Sequence, residues 1–197
     1  SIDLTRGKPH SDQLDLSNNL MTQAVDPIGE NGVDLRNYGE PIGIIEARKL
    51  GADILDSKID LTIAGEQSSY LLMTQLLLGR FLFGLDDDPW KNDKEPAFLC
   101  AVPGFDRHFA TLEGLGLKMH TVNLCSSGID LDDLNKKLSK YPNIKGLICV
   151  PRHSNPSGEV FSDENITNLL KITKEYNSSF INLFDHAYLI HDFDETR

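Results

Sequence analysis

Cysteines, clustered basic residues and long apolar runs are all scarce in this chain, and each shortage argues against a class of protein. The three cysteines (Cys100, Cys125 and Cys149) lack the spacing of a metal site, and two of them lie in apolar, strand-like runs. We therefore expect no metal, buried unreactive thiols and a reducing compartment such as the cytoplasm. Acidic residues outnumber basic ones by 30 to 19, for a net charge of −11. Without a face-sized group of Lys and Arg, nucleic acid is not an expected partner.

The hydrophobic pattern predicts a folded α/β protein. No apolar run approaches the roughly 18 residues that a membrane-spanning helix needs, so no membrane association is expected. The opening residues also lack the character of a signal peptide. Forty per cent of the 197 residues are apolar and both charge signs are present, as is typical of a globular chain with an extensive core.

Strand-like and helix-like segments alternate after residue 43. Residues 1–43 are predicted to form an N-terminal arm and a turn-rich linker. Residues 44–197 are predicted to form part of a large α/β domain that binds a cofactor. Such alternation indicates a mostly parallel sheet with helices on both faces. The predicted strands are 61–64, 98–102, 117–122, 146–150 and 179–184, and the predicted helices are 44–55, 70–85, 106–115, 131–139 and 163–176.

Three polar side chains follow the last two predicted strands. Asn155 lies in Asn-Pro-Ser-Gly after strand 146–150, and Asp185 and Tyr188 follow strand 179–184. A helix connects the two strands, so their carboxyl ends, and these side chains, are expected on one rim of the sheet. Each residue also has an explanation that needs no ligand. Asn155 could form a turn, Asp185 could cap a helix and Tyr188 could be a half-buried packing residue. Together they suit a pyridine cofactor, because a carboxylate pairs with a protonated ring nitrogen while an amide and a phenol bind a ring oxygen.

Two further segments reach the same rim. Segment 65–69 places Gln67, Ser68 and Ser69 before a predicted helix, where backbone N–H groups and hydroxyls can bind a phosphate. An ordinary helix cap is the alternative. Phe105 follows strand 98–102, where its ring could stack on a planar cofactor or simply join the core.

Taken together, these motifs resemble those of class I aminotransferases, which are fold-type-I enzymes dependent on pyridoxal phosphate. The resemblance is strongest to a bacterial aspartate-aminotransferase-like subgroup and runs over nearly the whole chain. The segments that carry it are Leu4-Thr5-Arg6-Gly7-Lys8-Pro9, Arg36-Asn37-Tyr38-Gly39, Val102-Pro103-Gly104-Phe105-Asp106-Arg107-His108-Phe109 and Val150-Pro151-Arg152-His153-Ser154-Asn155-Pro156.

The resemblance implies pyridoxal 5′-phosphate as cofactor, amino acids and 2-oxo acids as substrates, and a homodimer. Asp185 and Tyr188 would be catalytic, and Tyr38 would reach the cofactor phosphate of the partner subunit. Gly7, in the arm that closes over the substrate, would contact the substrate with Asn155, and Arg36 is a further candidate. The cofactor phosphate would be bound by Gln67, Ser68 and Ser69, and the cofactor ring would stack on Phe105. The 3′-oxygen would be bound by Asn155 and Tyr188, and ring nitrogen N1 would pair with Asp185.

Some positions depart from the subgroup. Glu66 stands where glycine is usual, and an anion there would repel a phosphate unless it turns away. Gln67 replaces asparagine, Phe105 replaces tyrosine and His186 replaces the asparagine after the aspartate. These last three keep the physical role of the residue they replace.

The largest departure is the absence of a lysine after Asp185, the last being Lys174. The family uses a later lysine as its Schiff-base lysine and a later arginine to bind the substrate α-carboxylate. We therefore expect an incomplete large domain, without the small C-terminal domain and inactive alone. Strand 61–64 would then be an unpaired edge.

Three alternatives remain open at this stage. A related pyridoxal-phosphate lyase or decarboxylase would use the same residues. An aminotransferase-like effector domain of a transcription regulator would carry a preceding basic domain, and a nucleotide-binding domain would need a glycine-rich first turn that segment 65–69 lacks. Arg36, Arg107 and Arg152 are the candidates for binding a second substrate carboxylate.

Overall fold

A computed structural model describes residues 9–65, 67–85 and 87–192. These residues form two compact units, one of residues 9–53 and 57–64 and the other of residues 54–56 and 65–192. The helices are α1 (Ser11–Asp15), α2 (Ile45–Ile54), α3 (Ser69–Phe83), α4 (Asp106–Gly114), α5 (Leu131–Lys140) and α6 (Asp163–Tyr176). The strands are β1 (Ala97–Val102), β2 (Lys118–Cys125), β3 (Gly128–Ile129), β4 (Ile144–Cys149) and β5 (Ile181–Phe184). Short 3₁₀ helices cover Asn18–Thr22, Ile59–Leu61, Trp90–Asn92 and Leu189–His191.

The second unit is built on a sheet with the strand order β3-β2-β1-β4-β5. Strands β2, β1, β4 and β5 run parallel, and only the short β3 is antiparallel to its neighbour. From β1 the chain first moves outward to β2, then returns to β4 on the other side of β1. Open α/β sheets bind ligands where the strand order reverses in this way, outside the carboxyl ends of the strands. The fold therefore places a crevice between the ends of β1 and β4.

Alternate residues of β1 supply two separate cores. Leu99 and Ala101 pack with Leu134 and Leu169 from α5 and α6 on one face of the sheet. Phe98 and Cys100 belong to the cluster on the other face, with side chains of α3 and α4 that include Leu77 and Leu112. Because both faces are covered, the predicted α/β fold class is confirmed.

Local capping explains where two helices begin. Asp130 accepts hydrogen bonds from the backbone N–H groups of Asp132 and Asp133 at the start of α5. Ser162 accepts one from the N–H of Asn165 at the start of α6. Both helices carry acidic residues in the first turn and lysine in the last, which complements the helix dipole.

The N-terminal unit is held mainly by polar contacts. The guanidinium of Arg48, on α2, donates to the carbonyls of Ile59 and Thr62 at 2.7 and 2.9 Å. The N–H of Ala64 donates to the carbonyl of Ile42 at 2.9 Å. Gly43 has φ of +90°, and a Cβ there would lie 2.1 Å from the carbonyl oxygen of Ala64. This close approach requires glycine.

The structure corrects one predicted element and adds another. Residues 61–64 form the end of a 3₁₀ helix and an extended segment instead of a strand. The carbonyl of Thr62 accepts from Arg48 and the N–H of Ala64 donates to Ile42, and the apolar side chains of Leu61 and Ile63 are exposed instead of buried. Strand β3 was not predicted, since it has only two residues. The division expected after residue 43 stays a prediction for the complete protein; in this chain, α2 groups with the N-terminal residues.

Candidate functional site

A cavity of about 340 Å³ lies at the carboxyl ends of β1, β4 and β5, next to the start of α3. It lies at the reversal of strand order. Its lining residues are Ser68, Ser69, Tyr70, Phe105, Arg107, Val150, Asn155, Asp185, Ala187 and Tyr188. The structure therefore brings together six of the predicted cofactor-binding residues: Ser68, Ser69, Phe105, Asn155, Asp185 and Tyr188.

Asp185 is the buried charged group of this cavity, with 6% of its surface exposed. It directly follows β5, and its N–H donates to the carbonyl of Cys149 at 2.9 Å, which ties it to β4. Oδ1 accepts from the N–H of Ala187 at 3.1 Å, and Oδ2 lies 2.9 Å from Nε2 of His108. Both oxygens of Asp185 are therefore held in fixed directions.

Sequence reasoning gave His108 no role, although it is only 3% exposed and contacts the central carboxylate. Because a carboxylate accepts hydrogen bonds, Nε2 of His108 carries the proton in this pair. The Phe105 ring meets the His108 ring edge to face, with centroids 5.1 Å apart. A signal for His108 was present in the sequence: a histidine in the first turn of a helix that starts at the same rim as Asp185.

Asp185 shares the cavity lining with three residues from different segments, Phe105, Asn155 and Tyr188. Phe105 is the residue before α4, so the end of β1 places its ring at the cavity. Asn155 lies in an exposed turn in which the N–H of Ser154 donates to the carbonyl of Glu159 at 3.0 Å. Tyr188 is half-buried and precedes the last described 3₁₀ helix. An amide, a phenol and an aromatic face thus border one carboxylate.

The start of α3 supplies a site suited to an anion. Ser68 is the residue before the helix, and its side chain makes no capping hydrogen bond. Capping was the alternative explanation for the serines, and the geometry does not show it for Ser68. Backbone N–H groups at the very start of a helix have no carbonyl partner one turn earlier, so they are available to an anion. Gln67 is exposed and is not among the lining residues, whereas Ser68 and Ser69 are.

Tyr70, which lines the cavity, is a second residue to which the sequence analysis gave no role. Thr111, on α4, donates from its hydroxyl to the Tyr70 hydroxyl oxygen at 2.7 Å. The contact fixes the phenol and links the first turn of α3 to the second turn of α4. Only its place beside Ser68 and Ser69 could have indicated it.

Two further predicted residues do not line this cavity. Arg36 and Tyr38 belong to the N-terminal unit, where Tyr38 is 96% exposed and Arg36 binds both carboxylate oxygens of Asp34, at 2.8 and 2.6 Å. The Arg36 contact raises its own pKa and lowers that of Asp34. Gly7 and Glu66 lie outside the described residues.

A second polar cluster lies behind the end of β4. Asp192 binds Arg152 through one oxygen and accepts from Nε2 of His153 at 2.6 Å through the other. Burial lowers the pKa of His186, with Arg152 adding to that effect and Asp185 opposing it. A neutral imidazole at His186 adds no charge beside Asp185, so this departure from the family's asparagine preserves the electrostatics of the site.

Cys100 and Cys149 are buried in the two cores, as predicted, and Cys125 is exposed. Burial raises the pKa of Cys100 to about 12 and raises that of Cys149 further. Within residues 9–65, 67–85 and 87–192, no cluster of His, Cys, Asp or Glu has metal-binding geometry. No helix in the same part of the chain has the length and apolarity needed to cross a membrane.

Comparison with known proteins gives the family. The sequence profile described as aspartate amino-transferase matches residues 1–196, so the chain belongs to the aspartate aminotransferase family. Its sequence is 35% identical over 196 residues to the aspartate aminotransferase of Corynebacterium glutamicum, covering 96% of this chain and 44% of that protein. The chain therefore spans less than half the length of this relative.

Solved structures agree with the fold. An aspartate transaminase from C. glutamicum superposes with a TM-score of 0.84 at 34% identity, over 94% of this chain and 44% of that one. A pyridoxal-phosphate-bound C–S lyase from Staphylococcus hominis superposes with a TM-score of 0.54 at 20% identity, over 80% and 43% of the two chains. The lyase likeness concerns the fold alone. The resemblance to fold-type-I aminotransferases is thus confirmed.

Proposed function

We propose that the complete protein is a pyridoxal-phosphate-dependent aminotransferase that moves an amino group between an amino acid and a 2-oxo acid. The observation that carries this proposal is the buried Asp185–His108 pair opening onto a cavity at the strand-order reversal. A buried carboxylate needs a cationic or hydrogen-bonding partner on its open side. A protonated pyridine nitrogen meets that need.

The donors and surfaces of the cavity fit the whole cofactor. Ser68 and Ser69, with the N–H groups at the start of α3, suit its phosphate. Phe105 suits one face of the ring, and Asn155 and Tyr188 suit the 3′-oxygen. The proposed phosphate contact from Gln67 would use its backbone N–H or a turned side chain, since Gln67 is exposed.

In this proposal Asp185 holds a proton at the ring nitrogen. When bound, pyridoxal phosphate supplies an electron-accepting ring that stabilises negative charge at the substrate α-carbon. The His108 N–H donates to Asp185 and keeps its carboxylate correctly oriented. Asn155 and Tyr188 donate to the 3′-oxygen and keep the ring from rotating, while Phe105 excludes water from one face.

Other parts of the proposal concern the complete protein. A lysine and an α-carboxylate arginine are expected beyond this chain, together with the small domain. We propose a cytoplasmic homodimer in which Tyr38 reaches the cofactor phosphate of the partner subunit. The exposure of Tyr38 supports this assignment, because its phenol is free to make such a contact. Gly7, Asn155 and Arg36 remain candidates for substrate contact.

The test is a single-turnover reaction of the full-length protein, loaded with pyridoxal phosphate and mixed with amino donors. Pyridoxamine phosphate and the matching 2-oxo acid should appear in equal amounts. A related lyase that uses the same cofactor-binding residues is the alternative. Substrate cleavage without pyridoxamine phosphate would support the lyase and contradict transamination.

A further inference from the structure

One carboxylate outside the cavity joins two of the segments that border it. Asp192 binds Arg152 through one oxygen, and through the other it accepts from Nε2 of His153 at 2.6 Å. Arg152 and His153 lie in the loop after β4, whereas Asp192 lies in the segment after β5. The same loop contains Asn155 and the same segment contains Tyr188, and both of these residues line the cavity. Asp192 thus ties together the two segments that supply an amide and a phenol to the cavity.

On the side of the loop, the tie holds a backbone conformation that needs support. His153 has φ of +50°, in the left-handed region that is unfavourable for residues other than glycine. Its imidazole is held by Asp192. The next residue, the buried Ser154, donates its N–H to the carbonyl of Glu159 at 3.0 Å. Asn155 follows directly, so the contact with Asp192 helps to fix the turn that places Asn155 at the cavity.

On the other side, one short helical turn connects the tie to the cavity. Tyr188 is the residue before the 3₁₀ helix Leu189–His191, and Asp192 directly follows that helix. The N–H of His191 donates to the carbonyl of Tyr188 at 3.0 Å, which closes the turn. A displacement of Asp192 would therefore be transmitted to Tyr188 through a hydrogen-bonded segment.

The charges of the cluster favour this contact. The hydrogen bond from His153 lowers the pKa of Asp192, partial burial opposes that effect, and Arg152 lowers the pKa further. The carboxylate is therefore ionised at neutral pH and accepts from both partners. Hydrogen bonds to an ionised acceptor are stronger than those between neutral groups, and here two of them come from one loop.

We propose that Asp192 is a positioning residue that holds Asn155 and Tyr188 in place for the 3′-oxygen of the cofactor. The inference rests on the proposed function and adds to it a residue that acts through two others. When the tie is lost, the amide and the phenol should spend less time within hydrogen-bonding distance of that oxygen. Asp185 is held separately by His108, so the cofactor should still bind.

The spectroscopic test follows the absorbance of pyridoxal phosphate bound to the full-length protein as the pH is raised. Donors to the 3′-oxygen stabilise its negative charge, so weaker donation lets the cofactor keep a proton to higher pH. Asp192→Ala should raise the midpoint of this titration by about 0.4–1.1 pH units, the scale of losing one ordinary hydrogen bond. Asp88→Ala removes an exposed carboxylate from the loop before β1 and should leave the midpoint unchanged.

The sign of the shift separates positioning from simple electrostatics. Removal of a negative charge by itself makes a nearby proton easier to lose, which would lower the midpoint. An unchanged or lowered midpoint in Asp192→Ala would therefore overturn the inference.

Further variants test whether the effect passes through the two cavity residues. In a protein that already carries Asn155→Ala and Tyr188→Phe, Asp192→Ala should add no further rise, because the donors through which it acts are gone. His153→Asn should give part of the rise, since asparagine tolerates the left-handed backbone but is too short to replace the imidazole. A full additional rise in the triple variant would contradict the proposed route.

A second measurement needs neither cofactor nor turnover. In the apoprotein, Asp192→Ala should speed hydrogen exchange several-fold at the N–H of Ser154, measured by mass spectrometry of peptides covering residues 151–161. Asp88→Ala should leave that rate unchanged. Equal exchange in Asp192→Ala and the wild type would show that the loop keeps its conformation without the tie, and the inference would fail. If the wild type transaminates no donor, the proposed function fails, yet the absorbance titration and the exchange rates still decide the role of Asp192.

Discussion

The two units of this chain differ in how they use their apolar residues. In the sheet unit, Leu99 and Leu147 are completely buried, each inside a core that combines strand and helix side chains. In the N-terminal unit, Leu16 and Met21 are 85% and 86% exposed. There, Arg48 connects α2 to residues 59–62 by hydrogen bonds to two backbone carbonyls. The sheet unit thus contains the burial that stabilises it, whereas the N-terminal unit presents apolar surface that needs another partner. The proposed dimer of the complete protein would supply one.

The largest expected effect lies in the sheet unit, at Asp185. In the complete protein, Asp185→Asn should lower kcat by about 10²- to 10³-fold, the scale of losing one preorganised electrostatic contact. The amide cannot keep the ring nitrogen protonated, although its shape allows the cofactor to bind. The turnover rate tests the predicted loss of activity, and the cofactor absorbance of the same sample tests whether the cofactor is still bound. Near-normal turnover would remove Asp185 from the proposed site.

A matched pair of Leu→Ala substitutions tests the contrast in burial directly. In this chain, Leu99→Ala should lower the free energy of unfolding by about 2–5 kcal/mol, because it leaves a cavity in a packed core. Leu16→Ala should change it by less than about 0.5 kcal/mol, as expected for an exposed site. Urea unfolding followed by circular dichroism measures both.

The same pair in the complete protein sharpens the comparison. A clear cost of Leu16→Ala there would show that the apolar surface of the N-terminal unit is covered in the assembly. Equal costs in the chain alone would contradict the contrast between the units.

Tyr38 tests the proposed role of the N-terminal unit. In the complete protein, a Tyr38→Phe variant and a variant of the expected catalytic lysine should each be impaired. Mixed dimers should regain one competent site, because each subunit supplies the group that its partner lacks. Activity is measured after unfolding and refolding the two variants together. If mixing restores nothing, the active sites are not shared in this way.

The smallest effect is a chemical difference among the three thiols. Burial raises the pKa of Cys100 to about 12 and raises the pKa of Cys149, so near pH 8 both stay protonated in the folded chain. Iodoacetamide should therefore label the exposed Cys125 first, as mass spectrometry can show. Denatured chain, in which all three react, is the control. Equal labelling of Cys100 or Cys149 under native conditions would mean that one face of the sheet opens readily.

The sequence predicted the features that depend on local pattern. Helix α6 was predicted at residues 163–176, and it occupies Asp163–Tyr176, because a capping serine and a regular apolar stripe mark its ends and face. The rim residues Asn155, Asp185 and Tyr188 were predicted from the rule that parallel strands end on one side, and they line one cavity. Their contacts with a cofactor stay predictions.

Features that depend on distant contacts were not predictable in the same way. Segment 61–64 has the composition of a strand, yet Arg48 and Ile42 take its backbone groups. His108 and Asp185 are 77 positions apart in the sequence. The sequence around each residue indicates its place at the rim of the sheet but does not identify the other as its partner. The three candidate arginines also look alike in the sequence. In the folded chain, Arg36 and Arg152 bind aspartates, whereas Arg107 lines the cavity.

That separation of 77 positions also has a consequence for the order of events during folding. His108 and Asp185 close a loop that contains β2, β3, α5, β4, α6 and β5. Contacts of such long sequence separation form late, because the entropy of closing the loop is spent before they stabilise anything. We therefore expect the cavity to form late in folding. A ligand that binds only the folded cavity would stabilise the native state in proportion to its concentration and affinity.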